Sequence, residues 1–405
     1  MTAKILLATT VRWPSAGRLA GAFVSTACSV SALLPSDHPA ARSRYFQRSF
    51  AYRPFAPITS MLDAIEQAQP DLVVCLDDRA TGLLLRTAAT APRHVVDLIT
   101  RSLGNTGNYA KLMSRSGFID AAREADIRTP ITRAVADEDG LQRALDETGL
   151  PAVIKADGTW GGDGVIVVGC VKEALLAYRK LASPPSLLRG VVRAVRRSDA
   201  HFLRAAIQAQ PPAISVQQFI PGKPATTSFA CWQGKLLAAN HFETLAAQEA
   251  NGPASVLRRF ESEEMLEAAA RLAARFELTG LHGLDYVRDV AGDAHLIEIN
   301  PRSPQTSYLA FGAGHDLVGS LVAQLDKTAR APRPHVMGDT VALFPQEWLR
   351  DPASPYLTTA FHDVPWDDPA LIRAWMESRA ARPALGKWRA FMAENPQGAR
   401  LAEQV

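Results

Sequence analysis

Two acidic side chains, Asp285 and Glu298, are predicted to face each other across a β-hairpin. Apolar residues predict strands over 284–289 and 294–300, and the four residues between them, Val-Ala-Gly-Asp, have the composition of a turn. Antiparallel pairing across that turn places the two carboxylates directly opposite each other. Like charges in that position destabilise a sheet by about 0.2–1 kcal/mol, and by more where they are buried.

A divalent cation would compensate this repulsion. Mg²⁺ prefers a few carboxylate oxygens together with phosphate oxygens, so the acid pair predicts a Mg²⁺ site beside a bound phosphate group. Asn300 falls on the same face as the acids, and its partner Gly283 is expected to leave the space above it open. The alternative is an exposed hairpin whose acids are only solvated.

A glycine-rich turn is the second candidate element. Residues 155–164 read KADGTWGGDG after a predicted strand, and bare glycine N–H groups of this kind can approach an oxyanion. Lys155 ends that strand, where its ammonium group can reach a phosphate. The alternative is a flexible turn with a solvated lysine. The sequence contains no GxxxxGK[ST] motif, which excludes a Walker-type phosphate loop.

The third element is the segment VQQFIPG at residues 216–222. An apolar strand stops there at Pro-Gly, and its end exposes unpaired backbone groups of the kind that an adenine-binding hinge would use. An ordinary junction between a strand and a turn explains the same pattern, because Pro-Gly is a frequent turn signal.

The first hundred residues predict a parallel, Rossmann-like sheet. Apolar strands over 4–10, 28–34 and 71–76 alternate with helical stretches over 15–26 and 61–67. No GxGxxG motif follows the first strand, so the dinucleotide-binding fingerprint is missing. Asp77 and Asp78 follow the strand over 71–76, at the edge where such sheets bind ligands, although helix capping or solvation explains acids there more often.

In order along the chain, the three motifs resemble the ATP-grasp superfamily, and above all the large-subunit domains of carbamoyl phosphate synthetase and related carboxylate–amine ligases. The resemblance covers about residues 100–328. It implies an α/β and α+β fold, in which two α+β subdomains clamp ATP. The domains would be a Rossmann-like N-terminal domain at 1–97, an ATP-grasp domain at 98–330 with its lid subdomain at about 151–225, and a C-terminal appendage at 331–405.

The resemblance also implies roles for individual residues. Lys155 and Arg115 would contact the phosphates of ATP, with Lys111 as the alternative to Arg115. Arg302 would act with Lys155 in catalysis by orienting the acceptor and the transferring phosphoryl group. The metal ligands would be Asp285, Glu298 and Asn300. The other nucleotide contacts would be Trp160, Gly161, Gly162, Gln217, Gln218, Phe219 and Ile220.

The implied activity is that of a ligase which uses Mg-ATP to activate a carboxylate as an acyl phosphate and joins it to an amine or a similar nucleophile. Two Mg²⁺ ions are expected, with Mn²⁺ as the alternative ion. A carboxylase that uses bicarbonate and a non-catalytic ATP-binding regulatory protein are the alternatives. Gln217 replaces the glutamate usual at the hinge, residues 222–226 lack the acid that commonly holds the ribose, and no second arginine closely follows Arg302.

Composition excludes several other classes of protein. The 405 residues carry a net charge of +3 and are 47% hydrophobic, which is typical of a globular protein and speaks against nucleic-acid or membrane-surface binding. No apolar run is long enough to span a membrane, and four scattered cysteines without a CxxC pair indicate reduced thiols and a cytoplasmic enzyme. Four of the seven tryptophans follow residue 330, so that segment is expected either to close over the pocket or to form a contact in a homo-oligomer.

Overall fold

Three β-sheets organise the computed structural model, which describes residues 2–157, 164–183, 212–249, 252–326 and 333–378. We call them the N-terminal sheet, the lid sheet and the large sheet. Trp160, Gly161 and Gly162 lie outside the described residues, as does Trp388, one of the four tryptophans that follow residue 330.

The N-terminal sheet has four parallel strands in the order β3-β2-β1-β4. The strands are β1 Lys4–Ala8, β2 Ser29–Pro35, β3 Arg48–Tyr52 and β4 Leu72–Cys75. One face packs against helix Ser15–Ser25. The opposite face packs against helices Pro57–Ala68, Asp78–Ala88 and Arg93–Leu103. The Rossmann-like prediction is therefore confirmed, although the sequence did not predict β3, an edge strand that is largely exposed and has no apolar run.

The lid sheet is antiparallel, with the order β5-β8-β6-β7. Its strands are β5 Thr132–Val135, β6 Ala152–Ala156, β7 Val165–Val168 and β8 Ile214–Gln218. Helices Glu138–Thr148 and Val171–Ala182 pack on it around a small core of its own. The sequence predicts a helix over 138–148 that ends at Gly149, and the structure has it: Asp137 caps the first turn of helix Glu138–Thr148, and Gly149 ends the helix at a φ of 73°.

The large sheet has seven strands in the order β13-β12-β9-β10-β11-β14-β15. The strands are β9 Gly222–Trp232, β10 Lys235–Ala247, β11 Ala254–Phe260, β12 Gly280–Asp289, β13 Ala294–Asn300, β14 Thr340–Ala342 and β15 Phe361–His362. Helix Glu263–Arg275 packs on one face, and helix Leu317–Leu325 packs on the other. Residues after 333 thus add two short strands to this sheet.

Shorter helices complete the described part of the chain. Two of them, Tyr109–Leu112 and Arg115–Glu124, lead from the N-terminal sheet towards the lid sheet. The others lie in the C-terminal part and are Gln346–Arg350, Tyr356–Thr359 and Pro369–Glu377. Trp375 on the last helix is buried among residues of the N-terminal sheet, whereas Trp366 is 75% exposed.

The N-terminal and large sheets share their cores. Each of two apolar clusters combines side chains of both sheets, as when Leu6 joins the cluster of Leu284 and Leu7 joins that of Leu281. This common packing fixes the carboxyl edge of the N-terminal sheet next to the large sheet. Within the described residues, no helix is both long and apolar enough to cross a membrane. All four cysteines are free, and three are buried while Cys170 is exposed.

Candidate active site

The hairpin of β12 and β13 brings the predicted acid pair together, with Asp285 opposite Glu298. Nearer the turn, the register differs from the expected one by a residue, because Tyr286 pairs with Leu296. A β-bulge at Ile297 takes up the difference and restores the expected register at the acids. The predicted pair is correct although the strand segments beside the turn are offset.

The space above Asn300 is not open, so this expectation is wrong. Gly283 does lie opposite Asn300, but a Cβ atom on Gly283 would come within 2.7 Å of Pro304 Cγ. After β13 the chain folds back over the glycine, and Pro304 fills the space. This contact depends on the tertiary path of the chain, which strand pairing alone does not describe.

Replacement of Gly283 by alanine is expected to lower the free energy of unfolding by about 1–3 kcal/mol, because the new Cβ atom would displace the Pro304 ring. Urea unfolding measures the change. Gly82→Ala is the control, since the neighbours of a Cβ atom at Gly82 lie at 3.4 Å or more and alanine favours a helix. Equal stability of Gly283→Ala and the wild type would contradict this packing.

The environment of Asp285 disfavours the charged form of its carboxylate. Burial and then the charge of Glu298 raise its pKa, whereas a hydrogen bond from Asn300 and the charge of Arg302 oppose that rise. Asn300 Nδ2 donates this bond to Asp285 Oδ2 at 2.8 Å. A hard divalent cation between the two carboxylates would relieve their repulsion, so the oxygen donors present fit Mg²⁺.

Protein side chains alone do not complete such a metal site. Within the described ranges, no group of three or more His, Cys, Asp or Glu side chains is placed to hold a metal ion. A Mg²⁺ ion on Asp285 and Glu298 would therefore need further oxygen ligands, and the oxygen atoms of a nucleotide phosphate are of the type that Mg²⁺ takes.

Lys155 is held at the carboxyl end of β6, where it is only 5% exposed. Burial lowers its pKa to about 8, against the opposing effects of the Glu298 and Asp285 carboxylates, while the Arg115 charge adds to the lowering. A buried ammonium group with a lowered pKa gains most from an anion that replaces lost water. This position fits contact with a phosphate.

The lowered pKa of Lys155 predicts a distinct titration. In protein labelled with ¹³C-lysine, one Cε resonance should titrate near pH 8 instead of near 10.5, and it should be missing from Lys155→Arg. Bound ADP should move this titration to higher pH, because phosphate favours the charged form. The unfolded chain keeps the ordinary pKa, so this group makes the free energy of unfolding increase with pH from about 8 to 10.5. A Lys155 resonance that titrates with the other lysines would contradict the prediction.

Arg115 connects the lid sheet to the acid pair. It begins helix Arg115–Glu124, and its Nη2 donates to Glu298 Oε1 at 3.2 Å while its Nη1 donates to the carbonyl oxygen of Ala156. Lys111, the alternative phosphate contact, instead lies 3.6 Å from Glu124 on the surface. The structure thus brings Arg115 to the acids and places Lys111 elsewhere.

Arg302 lies between the large sheet and the N-terminal sheet. Its Nη2 donates to Asn300 Oδ1 at 2.9 Å, and its Nε lies 3.5 Å from Asp78 Oδ1. On its C-terminal side the backbone is held by the N-terminal sheet, since Ser303 N donates to the carbonyl of Cys75 at 2.9 Å. Arg302 is therefore part of the same cluster as the acids.

The predicted hinge residues lie at the end of β8 and in the segment that connects it to β9. Gln217 is 3% exposed, and its Nε2 donates to Thr132 Oγ1 at 3.0 Å, while Gln218 Oε1 accepts from the backbone of Ile131 at 3.3 Å. Both side chains therefore bind within the lid sheet and its leading segment. Phe219 and Ile220 follow the end of β8 and are partly buried.

Asp78 lies beside the site, next to Arg302, and the sequence did not distinguish it from an ordinary loop acid. Its partner in sequence, Asp77, caps helix Asp78–Ala88 by accepting from Ala80 N, which agrees with the capping interpretation. Asp78 instead turns towards Arg302. The contact joins residues more than two hundred positions apart, and no local pattern indicates it.

The sequence of residues 190–307 matches the ATP-grasp domain. This match confirms the predicted resemblance to the ATP-grasp superfamily over the matched residues, and the Rossmann-like sheet precedes them in the chain. No curated protein matches the sequence significantly.

Solved structures share the fold over most of the chain. A biotin carboxylase from Campylobacter jejuni, described as a β,γ-ATP complex, has a TM-score of 0.58 and 14% identity, and the match covers 82% of this chain and 72% of that one. A carboxyaminoimidazole ribonucleotide synthase from Aspergillus clavatus complexed with ATP has a TM-score of 0.56 and 13% identity, covering 82% and 78%. The biotin carboxylase domain dimer of Hydrogenobacter thermophilus 2-oxoglutarate carboxylase, bound to MgADP, ADP and bicarbonate, has a TM-score of 0.56 and 13% identity, covering 83% and 72%. At identities of 13–14%, these matches show similarity of fold alone.

Proposed function

We propose that this protein is an ATP-dependent ligase that activates a carboxylate as an acyl phosphate and transfers the acyl group to an amine or a similar nucleophile. One observation carries the proposal: the paired carboxylates of Asp285 and Glu298 face each other beside three cationic side chains, Lys155, Arg115 and Arg302. A protein that only bound a neutral ligand would gain nothing from this repulsion.

The cationic residues supply what phosphoryl transfer requires. Lys155 and Arg115 would hold the phosphates of ATP from the side of the lid sheet, and Asp285, Glu298 and Asn300 would hold one or two Mg²⁺ ions. Bound Mg²⁺ would neutralise charge on the phosphoryl oxygens. Because these side chains are fixed by the fold, they need little reorganisation as charge develops.

The proposed reaction has two steps that need no side-chain nucleophile. A carboxylate oxygen of the substrate attacks the γ-phosphorus of ATP, and the bond to the leaving ADP oxygen breaks. The amine nitrogen then attacks the acyl carbon, loses a proton, and releases inorganic phosphate. Arg302 would orient the carboxylate and the transferring phosphoryl group through its planar guanidinium.

The remaining nucleotide contacts belong to this proposal. The backbone at Phe219 and Ile220, together with the strand end at Gln217 and Gln218, would hold the adenine ring. Gln217 and Gln218 use both their side chains and their backbone within the lid sheet, so the main contact with adenine would come from the backbone at Phe219 and Ile220.

A bicarbonate-using carboxylase is the second candidate. It is supported by the shared fold with a biotin carboxylase domain whose structure contains MgADP and bicarbonate. Bicarbonate is itself a carboxylate-like oxyanion, so the same cationic residues would serve it. Dependence of ADP release on added bicarbonate distinguishes the two candidates.

The proposal is tested by adding pairs of carboxylates and amines to the protein in the presence of Mg²⁺ and ATP and by measuring the ADP that forms. We expect ADP to form only when both a suitable acid and a suitable nucleophile are added. ATP binding without ADP formation in any pair, bicarbonate included, would contradict a ligase and favour a regulatory nucleotide-binding protein.

A further inference from the structure

We propose that Asp78 is a positioning residue that fixes the orientation of the Arg302 guanidinium for the acceptor substrate. The proposal rests on the ligase function argued above. In this proposal the N-terminal part of the chain contributes to the reaction indirectly, because Asp78 contacts Arg302 and approaches no reacting atom itself.

The first support is the place of Asp78. It is the first residue of helix Asp78–Ala88, just beyond the carboxyl end of β4, and its Oδ1 lies 3.5 Å from Arg302 Nε. The side chain as a whole is 36% exposed, but the Oδ1 atom is shielded from solvent and makes no hydrogen bond with the described residues. Its nearest identified cationic partner is therefore Arg302.

The second support is the geometry of Arg302. Asn300 Oδ1 accepts a hydrogen bond from Nη2 at 2.9 Å, and the Asp78 carboxylate forms an ion pair with Nε at 3.5 Å without a hydrogen bond. A hydrogen bond at one nitrogen and a negative charge beside another restrict the orientation of the planar guanidinium. Nη1 makes no hydrogen bond with the described residues, and it would donate to a carboxylate or phosphoryl oxygen.

The third support is that the backbone holds both partners in place. Thr81 Oγ1, one turn along the same helix, donates to the carbonyl of Pro301 at 3.0 Å. On the other side of Arg302, Ser303 N donates to the carbonyl of Cys75 at 2.9 Å. Two hydrogen bonds, one from helix Asp78–Ala88 and one to β4, thus hold the segment after β13 on both sides of Arg302.

Asp77, the neighbour of Asp78, has a different role. Its carboxylate accepts from the backbone and hydroxyl of Thr10, the hydroxyl of Thr9, and the backbone of Ala80. It therefore holds the loop after β1 and the start of the helix. With those structural bonds made by Asp77, the Asp78 side chain is not needed to cap the helix.

Steady-state kinetics of Asp78→Asn test the positioning role, with Asp97→Asn as the matched control. Asp97 lies on the neighbouring helix Arg93–Leu103 and is 61% exposed. We expect Asp78→Asn to lower kcat by about 10- to 100-fold with little change in the KM for ATP, because a misoriented group impairs the transition state more than nucleotide binding. Asp78→Glu should recover part of the loss, and Asp97→Asn should match the wild type.

A double-mutant cycle adds a readout that a purely structural role would not move. Asp78→Asn should cost little further activity in an Arg302→Lys background, since the orientation that it controls is already lost. Full additivity of the two losses, or an unchanged kcat in Asp78→Asn, would overturn the proposal.

Crystal structures of the wild type and Asp78→Asn, without substrates, separate this proposal from the ligase function. We expect the Arg302 guanidinium to rotate in the variant and to lose its bond to Asn300. An unmoved guanidinium would overturn the positioning role even in an active ligase. Rotation in a protein that forms no ADP would support the positioning contact and count against the ligase function alone.

Discussion

Replacement of Glu298 by glutamine is expected to reduce ADP formation by about 10²- to 10³-fold, because the variant loses one of two charged oxygen donors for Mg²⁺. Its stability should change much less. Removal of a like charge opposite Asp285 favours the folded state by about 0.2–1 kcal/mol, whereas loss of the charge that pairs with Arg115 opposes that gain, so the free energy of unfolding should stay within about 1 kcal/mol of the wild type. A coupled ADP assay and thermal unfolding measure the two effects on one preparation.

The matched control is Glu267→Gln, an acid to amide change in helix Glu263–Arg275. Glu267 is 57% exposed and pairs with Arg271 on the same helix. The Glu267→Gln variant should therefore have activity and stability close to those of the wild type. If Glu298→Gln retains full ADP formation with the same substrate pair, the acid pair does not bind the metal.

Replacement of Lys155 by methionine is expected to have an effect of similar size, about 10²- to 10³-fold on kcat/KM for ATP. Methionine keeps an unbranched side chain of similar length in a position that is 5% exposed, but it removes the ammonium group. The loss should appear in ADP binding by calorimetry as well as in turnover, because a phosphate contact acts in both.

Lys111→Met is the control for that substitution. Lys111 lies 3.6 Å from Glu124 at a site where its side chain is 46% exposed, away from the acid pair. We expect normal ADP binding and turnover in this variant. Equal effects of the two methionine substitutions would contradict the assignment of Lys155 to the phosphates.

The sequence predicts those parts of the site that depend on local geometry. The acids at 285 and 298 are thirteen positions apart in one hairpin, so alternation along the strands and the position of the turn bring them close together, but their exact pairing also depends on the β-bulge at Ile297, which the sequence did not indicate. Local signals also predict helix Glu138–Thr148, which has a capping aspartate before it and a glycine after it.

Contacts between distant segments could not be predicted in this way. Pro304 covers Gly283 because the chain turns back after β13, and Asp78 meets Arg302 because two separate sheets share their cores. Strand β11 was missed as well, although it lies inside the large sheet. The domain boundaries at 97 and 330 stay predictions.

A crystal structure of the protein with Mg²⁺ and a non-hydrolysable ATP analogue tests the central claim most directly. We predict Mg²⁺ bound by carboxylate oxygens of Asp285 and Glu298 at about 2.0–2.1 Å, with phosphate oxygens completing its coordination and Lys155 within hydrogen-bond distance of a phosphate. A bound nucleotide whose phosphates lie away from the hairpin, with the two carboxylates turned apart into solvent, would contradict the account.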